Sequence, residues 1–144
     1  MATIQHPKPK RKHFTVAEAN ATLPLLRAIL RDVTVLAQEL RDRHQTLLRL
    51  QSSGNMDKAH EEEIRHLIET FERDQERMRE YEHELKALHI ELKDYFTGLV
   101  DFPCSMNGRE VYLCWKLDEP EVTHWHELDA GFAGRQKLQQ QLLN

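Results

Sequence analysis

The chain has 144 residues, enough for one domain with a modest hydrophobic core. Charged residues make up 31% of it and hydrophobic residues 40%, a balance typical of long solvated helices. The net charge is −4, and an acidic chain argues against nucleic acid as the main partner, because phosphate binding needs a concentrated basic face. No stretch has the apolar length of a transmembrane helix, and the N-terminus lacks the hydrophobic region of a signal peptide. We therefore expect a cytoplasmic protein without membrane contact.

Changes in composition divide the chain. Residues 1–13 hold four basic side chains and no acid, and they are predicted to be a disordered tail. Residues 14–144 are predicted to be a single domain. Within it, helical periodicity extends over residues 14–89, and short alternating patterns followed by a glycine loop extend over residues 90–137.

A long helix is predicted to begin at Thr15, because Thr15 and Glu18 have the spacing of a capping box. Pro24 lies near its start, where it either kinks the helix or separates a short first segment. Apolar residues then recur in a heptad pattern that is interrupted once, by a histidine. These positions are Leu23, Leu26, Leu30, Val33, Ala37, Leu40, His44 and Leu47.

A second helix is predicted after the breaker at residues 52–55, with Asp57 as its N-cap. The heptad spacing continues in it and is broken at Asp74. Its apolar positions are Ile64, Leu67, Phe71, Met78, Tyr81, Leu85 and Leu88. Two long helices joined by a short loop must pack antiparallel. The apolar surface that the pair leaves uncovered predicts a homodimer formed through the helices.

A β-hairpin is predicted around Asn107-Gly108, the strongest short turn signal in the chain. A two-residue turn there fixes the register of both strands. It places Cys104 on the apolar face of the hairpin and Cys114 opposite Asp101 on the other face. Because the two cysteines point to opposite sides, an intramolecular disulfide is not expected, and both are predicted to be free thiols.

The turn at residues 118–121 leads into a third predicted strand, whose register has two solutions. With a loop of even length, His124 pairs with Trp115, and both His124 and His126 lie on the apolar face. A bulge or a loop of odd length moves both histidines to the other face and the tryptophan between them to the apolar face. Both registers fit the sequence.

Four residues of this strand and the following loop are candidate metal ligands. Two histidines that are two positions apart on a strand project from one face, so their imidazoles can reach one ion. A carboxylate from the loop would complete a set suited to a divalent ion of the zinc or iron class. The candidates are His126, Glu127, Asp129 and His124. The alternative is that the histidines are packed side chains in a chain that has nine of them.

The stretch Asp129–Arg135 contains two glycines and an arginine. One interpretation is an anion site formed by backbone amides and Arg135. The other is a tight turn that packs Phe132 against the helices and pairs Arg135 with a carboxylate, and it is favoured because glycines mark turns more often than phosphate sites. The candidate ligand-binding residues of this region and of the nearby hairpin turn are Trp125, Phe132, Arg135 and Arg109.

No complete catalytic signature is present, which favours a protein without enzymatic activity. The strand acids Glu91, Asp94 and Asp101 are interpreted as facing water, because no cleft is evident that would hold two of them together. Neither Cys104 nor Cys114 has an evident histidine partner for nucleophilic catalysis.

Several segments are similar to a known family. They are residues 14–20 (FTVAEAN) with Leu23-Pro24, 91–94 (ELKD), 98–103 (GLVDFP), 108–115 (GREVYLCW) and 125–136 (WHELDAGFAGRQ). The chain resembles the bacterial family catalogued as domain of unknown function 2203 over about residues 14–137. The resemblance implies a small cytoplasmic bacterial protein and brings no assigned activity. In the family pattern the position of His124 is commonly another residue, which shifts weight to His126, Glu127, Asp129 and Arg135.

The predicted fold is therefore α+β, a long antiparallel helical hairpin followed by a small antiparallel β-meander of three or four strands. The first functional hypothesis is a non-enzymatic, self-associating interaction module with a polar site on its C-terminal sheet and a protein or small molecule as partner. The second is a protein that binds a divalent metal ion or a small anion, with hydrolysis as one activity such a site can support.

Overall fold

A computed structural model describes residues 12–54 and 57–139. Of the predicted N-terminal tail, all but Lys12 and His13 lies outside the described residues. Helix α1 (Val16–Gln51) and helix α2 (Lys58–Ala87) form an antiparallel hairpin. None of the helices in the described part of the chain is long and apolar enough to cross a membrane.

The second part of the chain forms an antiparallel sheet whose strands follow one another in chain order. The strands are β1 (Glu91–Asp94), β2 (Leu99–Met106), β3 (Arg109–Lys116), β4 (His124–His126) and β5 (Gln136–Lys137). The predicted α+β fold is confirmed. The sheet has five strands where three or four are predicted, and the fifth is a two-residue segment after the glycine loop that pairs with β4.

The predicted start of α1 is confirmed. Thr15 accepts a hydrogen bond from the backbone of Glu18, and the Glu18 carboxylate accepts one from the backbone of Thr15. Phe14, just before the cap, donates its backbone N–H to the carbonyl of Pro103 at 2.6 Å and packs edge-on against Phe102. The helix is continuous through Pro24, so no separate first segment exists.

The predicted N-cap of α2 is also confirmed, because Asp57 accepts a hydrogen bond from the backbone of His60 at 2.8 Å. The break in the heptad pattern at Asp74 has a structural explanation. Asp74 is 6% exposed and forms ion pairs with Arg43 on α1 and Arg77 on α2. The negative charge of this carboxylate, buried between the two helices, is thus neutralised by arginines of both helices.

The hydrophobic core lies between the helices and one face of the sheet, called here the core face. The largest fully buried side chains on that face are Phe102, Leu113 and Trp115. From the helices the core receives residues that recur at helical spacing. These include Leu23, Leu26, Leu30, Val33, Ala37, Met78 and Leu85. Each large apolar side chain buried here contributes roughly 1.5–3 kcal/mol to the free energy of unfolding.

The β2–β3 hairpin has the predicted register at every pair. Asn107 and Gly108 have φ values of 53° and 81°, the left-handed conformations that a tight hairpin turn of this type needs. Cys114 pairs with Asp101, and Cys104 lies on the core face. Both cysteines are buried and free, as predicted.

Strand β4 adopts the register that needs a loop of odd length. His124 pairs with Cys114 and not with Trp115, which places both histidines of β4 away from the core face. The cause is Val122, which is fully buried and donates its backbone N–H to the side chain of Asn20 on α1 at 2.7 Å. Because Val122 is held by the helix, it does not join the ladder, and the strand that follows shifts by one residue.

Candidate functional site

Three side chains that can bind metal lie together on the sheet face opposite the core, called here the outer face. They come from three adjacent strands: Asp101 from β2, Cys114 from β3 and His126 from β4. Their exposed fractions are 3%, 1% and 2%. The interpretation of Asp101 as a strand acid that faces water is therefore wrong. Other parts of the chain cover the outer face at this point, and a polar cluster is buried as a result.

The hydrogen bonds of His126 determine which of its ring nitrogens carries a proton. Nδ1 lies 2.7 Å from the backbone carbonyl oxygen of Glu127. A carbonyl oxygen only accepts, so Nδ1 is the protonated nitrogen. In the neutral ring, Nε2 then carries a lone pair instead of a proton. This nitrogen lies 3.0 Å from an oxygen of Asp101. A lone pair that faces a carboxylate requires a cation between them, either a proton or a metal ion.

His126 Nε2 and Asp101 Oδ2 are at ion-pair distance, 3.0 Å. His126 Nε2 and Asp101 Oδ1 are fully buried and have no hydrogen-bond partner among the described residues. Unsatisfied buried groups of this kind cost free energy unless another partner is present. A cation at the centre of the cluster would give both atoms a partner.

The separations within the cluster suit a metal ion. The ligand atoms of Asp101, Cys114 and His126 all lie within 4.8 Å of one another. In residues 12–54 and 57–139 they form the one group of three or more such side chains that meets this distance. A zinc ion bound to nitrogen, sulfur and oxygen at about 2.0–2.3 Å holds its ligand atoms roughly 3–4 Å apart.

Burial dominates the acid–base behaviour of the cluster. It raises the pKa of the Asp101 carboxyl, although His126 and Lys93 act in the opposite direction. The pKa of the Cys114 thiol is raised to about 11, first by burial and then by the charge of Asp101, while Arg135 opposes the shift. Without a metal ion, burial therefore disfavours the anionic forms of both Asp101 and Cys114.

Arg135 folds back over the outer face from the glycine loop. Its guanidinium donates to both carboxylate oxygens of Glu119, at 2.9 and 2.7 Å, and also contacts Cys114. Burial pushes the pKa of Glu119 up, but the hydrogen bonds from Arg135 and from the backbone of Lys116 outweigh it and hold that pKa below its usual value. The interpretation in which Arg135 pairs with a carboxylate is confirmed.

Phe132 does not pack against the helices, so that part of the same interpretation is wrong. Its ring is 43% exposed and lies beneath the cations of Lys116 and Arg135, at 5.5 and 4.6 Å from the ring centre. The short 3₁₀ helix Phe132–Gly134 keeps it on the surface.

Of the four candidate metal ligands, only His126 belongs to the buried cluster. His124 shares its face, but Nδ1 lies 2.9 Å from the Thr123 hydroxyl, and burial followed by the charge of Arg135 lowers the His124 pKa. Glu127 is 2.5 Å from Arg109, and Asp129 is exposed. The structure brings neither carboxylate into the group of three.

The candidate ligand-binding residues fall into two pairs. Arg135 and Phe132 lie together beside the buried cluster. Arg109 and Trp125 lie together at the hairpin end of the sheet, with the Arg109 cation 5.7 Å from the indole. This second pair lines a cavity of about 140 Å³, smaller than the roughly 300 Å³ at which pockets for small molecules begin.

The cluster contains two residues that were not among the candidate metal ligands, Asp101 and Cys114. A signal for them existed, because the predicted hairpin register already placed Cys114 opposite Asp101. The odd register of β4, one of the two left open, puts His124 beside Cys114 and His126 on the same face. The register of the β2–β3 hairpin and the odd register of β4, taken together, place all three side chains on one face and identify the cluster.

Comparison with known proteins adds a family and no activity. No curated protein and no solved structure matches the chain. Residues 12–138, which include both helices and all strands of the sheet, match the model of a family described as uncharacterized conserved protein (DUF2203). The chain therefore belongs to this family, domain of unknown function 2203.

Proposed function

We propose that this protein is a non-enzymatic interaction module of the bacterial cytoplasm whose C-terminal sheet binds one divalent metal ion. The proposed ligands are Asp101, Cys114 and His126. The observation that carries the proposal is the orientation of His126, whose Nδ1 is bonded to a backbone carbonyl and whose Nε2 lies 3.0 Å from a buried carboxylate with a thiol beside it. Fixing the metal-binding nitrogen through a backbone hydrogen bond of the other nitrogen is a common feature of histidine ligands.

The chemistry of the donors favours zinc or another ion of similar softness. A thiolate, an imidazole and a carboxylate are ligands that zinc accepts, whereas magnesium and calcium prefer oxygen alone. Charge also balances, because the thiolate and the carboxylate neutralise a dication. The Arg135–Glu119 pair beside them is neutral by itself. Binding would release the proton of Cys114, so that affinity should rise with pH.

The position of the ligands supports a role in organising the surface. Each ligand comes from a different strand, so a bound ion would link β2, β3 and β4. Strand β4 has three residues and leads into the loop that carries Leu128 and Phe132, which are 48% and 43% exposed. A metal ion would thus fix the position of the loop whose apolar side chains the module presents to a partner. Three protein ligands leave a fourth zinc position to water or another group. The burial of all three limits the access of a substrate to that position, which favours this role over hydrolysis.

The metal content of the purified protein tests the proposal. After loading with zinc and dialysis, elemental analysis should find stoichiometric zinc in the wild type and little in Cys114→Ala. Asp101→Asn, which preserves size, should also lose zinc. Cys104→Ala is the matched control, because Cys104 is a second buried thiol on the core face. Absence of zinc from the wild type, or equal loss in the Cys104 variant, would contradict the proposal.

A further inference from the structure

Arg135 leaves the glycine loop at a point where the backbone is fixed on both sides. Its own N–H donates to the carbonyl of Phe132 at 3.1 Å, and β5, which begins at the next residue, pairs with β4. The loop before it is tightly closed, because a Cβ atom at Gly134 would lie 2.8 Å from that of Ala130. The side chain of Arg135 therefore starts from a defined position when it extends over the outer face.

Glu119, the carboxylate that receives this guanidinium, is also held firmly. Its Oε1 accepts the backbone N–H of Lys116 at 3.0 Å, and its backbone carbonyl accepts the indole N–H of the fully buried Trp115 at 3.0 Å. The side chains of Glu119 and Arg135 are only 15% and 16% exposed. Two parallel hydrogen bonds to one carboxylate fix the plane of a guanidinium as well as its position. The Arg135–Glu119 pair is thus anchored to the core.

The guanidinium of Arg135 has more donors than its bond to Glu119 uses. A guanidinium carries five N–H groups, and Glu119 accepts from two of them. The guanidinium also contacts the sulfur of Cys114, one of the three proposed metal ligands. A donor that binds a ligand atom from outside a metal site orients that atom and balances part of its negative charge. Arg135 lies where such an outer-shell donor is needed.

Glu119 makes a positively charged side chain acceptable next to a metal ion. An isolated guanidinium would repel a divalent ion, because like charges repel. Joined by two hydrogen bonds, Arg135 and Glu119 carry no net charge, while the guanidinium keeps its contact with the sulfur of Cys114. The two residues therefore form one unit in which Glu119 acts on the ligand sulfur through Arg135.

We propose that Arg135 is the positioning residue of the metal site, that it donates a hydrogen bond to the Cys114 thiolate when the ion is bound, and that it connects the ion to the glycine loop. This inference rests on the proposed function. The connection reaches the surface, because the guanidinium lies 4.6 Å from the ring centre of Phe132, which is 43% exposed. Metal binding should therefore order the loop that presents Phe132 to a partner.

Zinc affinity, measured by competition with a chelator, tests the role of the pair. Arg135→Gln should lower the affinity by about 10- to 100-fold, the usual effect of removing an outer-shell partner. Glu119→Gln should also lower it, because the guanidinium charge is then uncompensated. In a protein that already carries Arg135→Gln, Glu119→Gln should change little, since Glu119 acts through the arginine. Additive losses, or a wild-type affinity in Arg135→Gln, would overturn the proposal. Arg79→Gln is the matched control and should bind zinc as the wild type does, because Arg79 pairs with Glu76 on α2, on the opposite side of the sheet from the cluster.

The cobalt–thiolate absorption tests the bond to sulfur separately from affinity and folding. A hydrogen bond lowers the energy of the sulfur electrons that this band excites, so its loss in cobalt-saturated Arg135→Gln should move the band to longer wavelength. Arg135→Lys keeps the charge and a donor but not the fork, so its band should lie between the two. A variant that binds less metal only because its fold is weakened would show the wild-type wavelength once saturated, and that result would overturn the proposal.

Hydrogen exchange of the backbone amides tests the connection between the ion and the loop. Saturating zinc should slow exchange in residues 129–135 of the wild type and should have a much smaller effect there in Arg135→Gln, because the loop is then no longer tied to the ion. An equal effect of zinc in both proteins would overturn the connection. A wild type without cobalt–thiolate absorption would instead contradict the proposed function itself, so the two failures are distinguishable.

Discussion

The two faces of the sheet are built from the same strands but differ in what holds them together. On the core face, Phe102, Leu113 and Trp115 are fully buried by apolar contacts with the helices. On the outer face, Asp101 and His126 are buried to a similar degree, yet one atom of each has no hydrogen-bond partner in the part of the chain that the structure describes. Burial of apolar side chains therefore adds to the free energy of unfolding on the core face, whereas burial of unsatisfied polar atoms subtracts from it on the outer face. Apolar contacts stabilise the core face, whereas the outer face carries the free-energy cost of unsatisfied buried polar atoms, which the proposed metal ion would offset.

The largest expected effect comes from the core face. Trp115→Ala should lower the free energy of unfolding by about 3–5 kcal/mol, because it removes the largest fully buried side chain and leaves a cavity. Denaturation by urea measures the loss. The loss should be the same with and without zinc, since Trp115 points away from the metal cluster. A loss that depends on zinc would mean that the two faces are not independent.

The next effect distinguishes the faces directly. Zinc at 100 to 1,000 times its dissociation constant should stabilise the wild type by about 2.7–4.1 kcal/mol. Cys104→Ala should keep this stabilisation, whereas Cys114→Ala should lose it. Thermal unfolding with zinc and with a chelator measures the difference for each variant. Equal responses of the two cysteine variants would contradict the assignment of the outer face.

A third effect concerns pH in the metal-free protein. The pKa of Cys114 is raised from 9.0 to about 11 in the folded state. The folded state therefore keeps its proton while the unfolded state loses it, and stability should fall as pH rises from about 9 to about 11. The extra loss in the wild type relative to Cys114→Ala should be on the order of 2 kcal/mol. Urea denaturation in the presence of a chelator at several pH values checks this, and parallel curves for the two proteins would be evidence against it.

The smallest effect is expected at the edge of the outer face. Arg109 and Glu127 form an ion pair in which both side chains are more than one third exposed. Arg109→Ala should change the free energy of unfolding by less than about 1 kcal/mol, because exposed ion pairs are screened by solvent. Zinc content should not change. Loss of zinc in this variant would indicate that Glu127 is also a metal ligand.

Much of this comparison follows from sequence patterns. The Asn107-Gly108 turn determines the β2–β3 register, and with it the separation of Cys104 from Cys114 on two faces. The capping residues and the heptad pattern likewise locate both helices. These features depend on neighbours within a few residues, so local patterns predict them.

The remaining parts depend on contacts between distant segments. The register of β4 is set by the bond from Val122 to Asn20, which are 102 residues apart. The covering of the outer face depends on Arg135 reaching Glu119 across the sheet. No local pattern contains these contacts, which is why sequence patterns alone place Asp101 in water and leave two solutions for the register of the histidines.

The central claim is that one ion binds Asp101, Cys114 and His126, and cobalt spectroscopy tests it most directly. Cobalt(II) added to the metal-free protein should give the near-ultraviolet charge-transfer absorption of a cobalt–thiolate bond and the visible bands of a tetrahedral site. Zinc should displace it. The absorption should be absent from Cys114→Ser and unchanged in Cys104→Ser. A wild type without thiolate absorption, or a spectrum that survives in Cys114→Ser, would contradict the account.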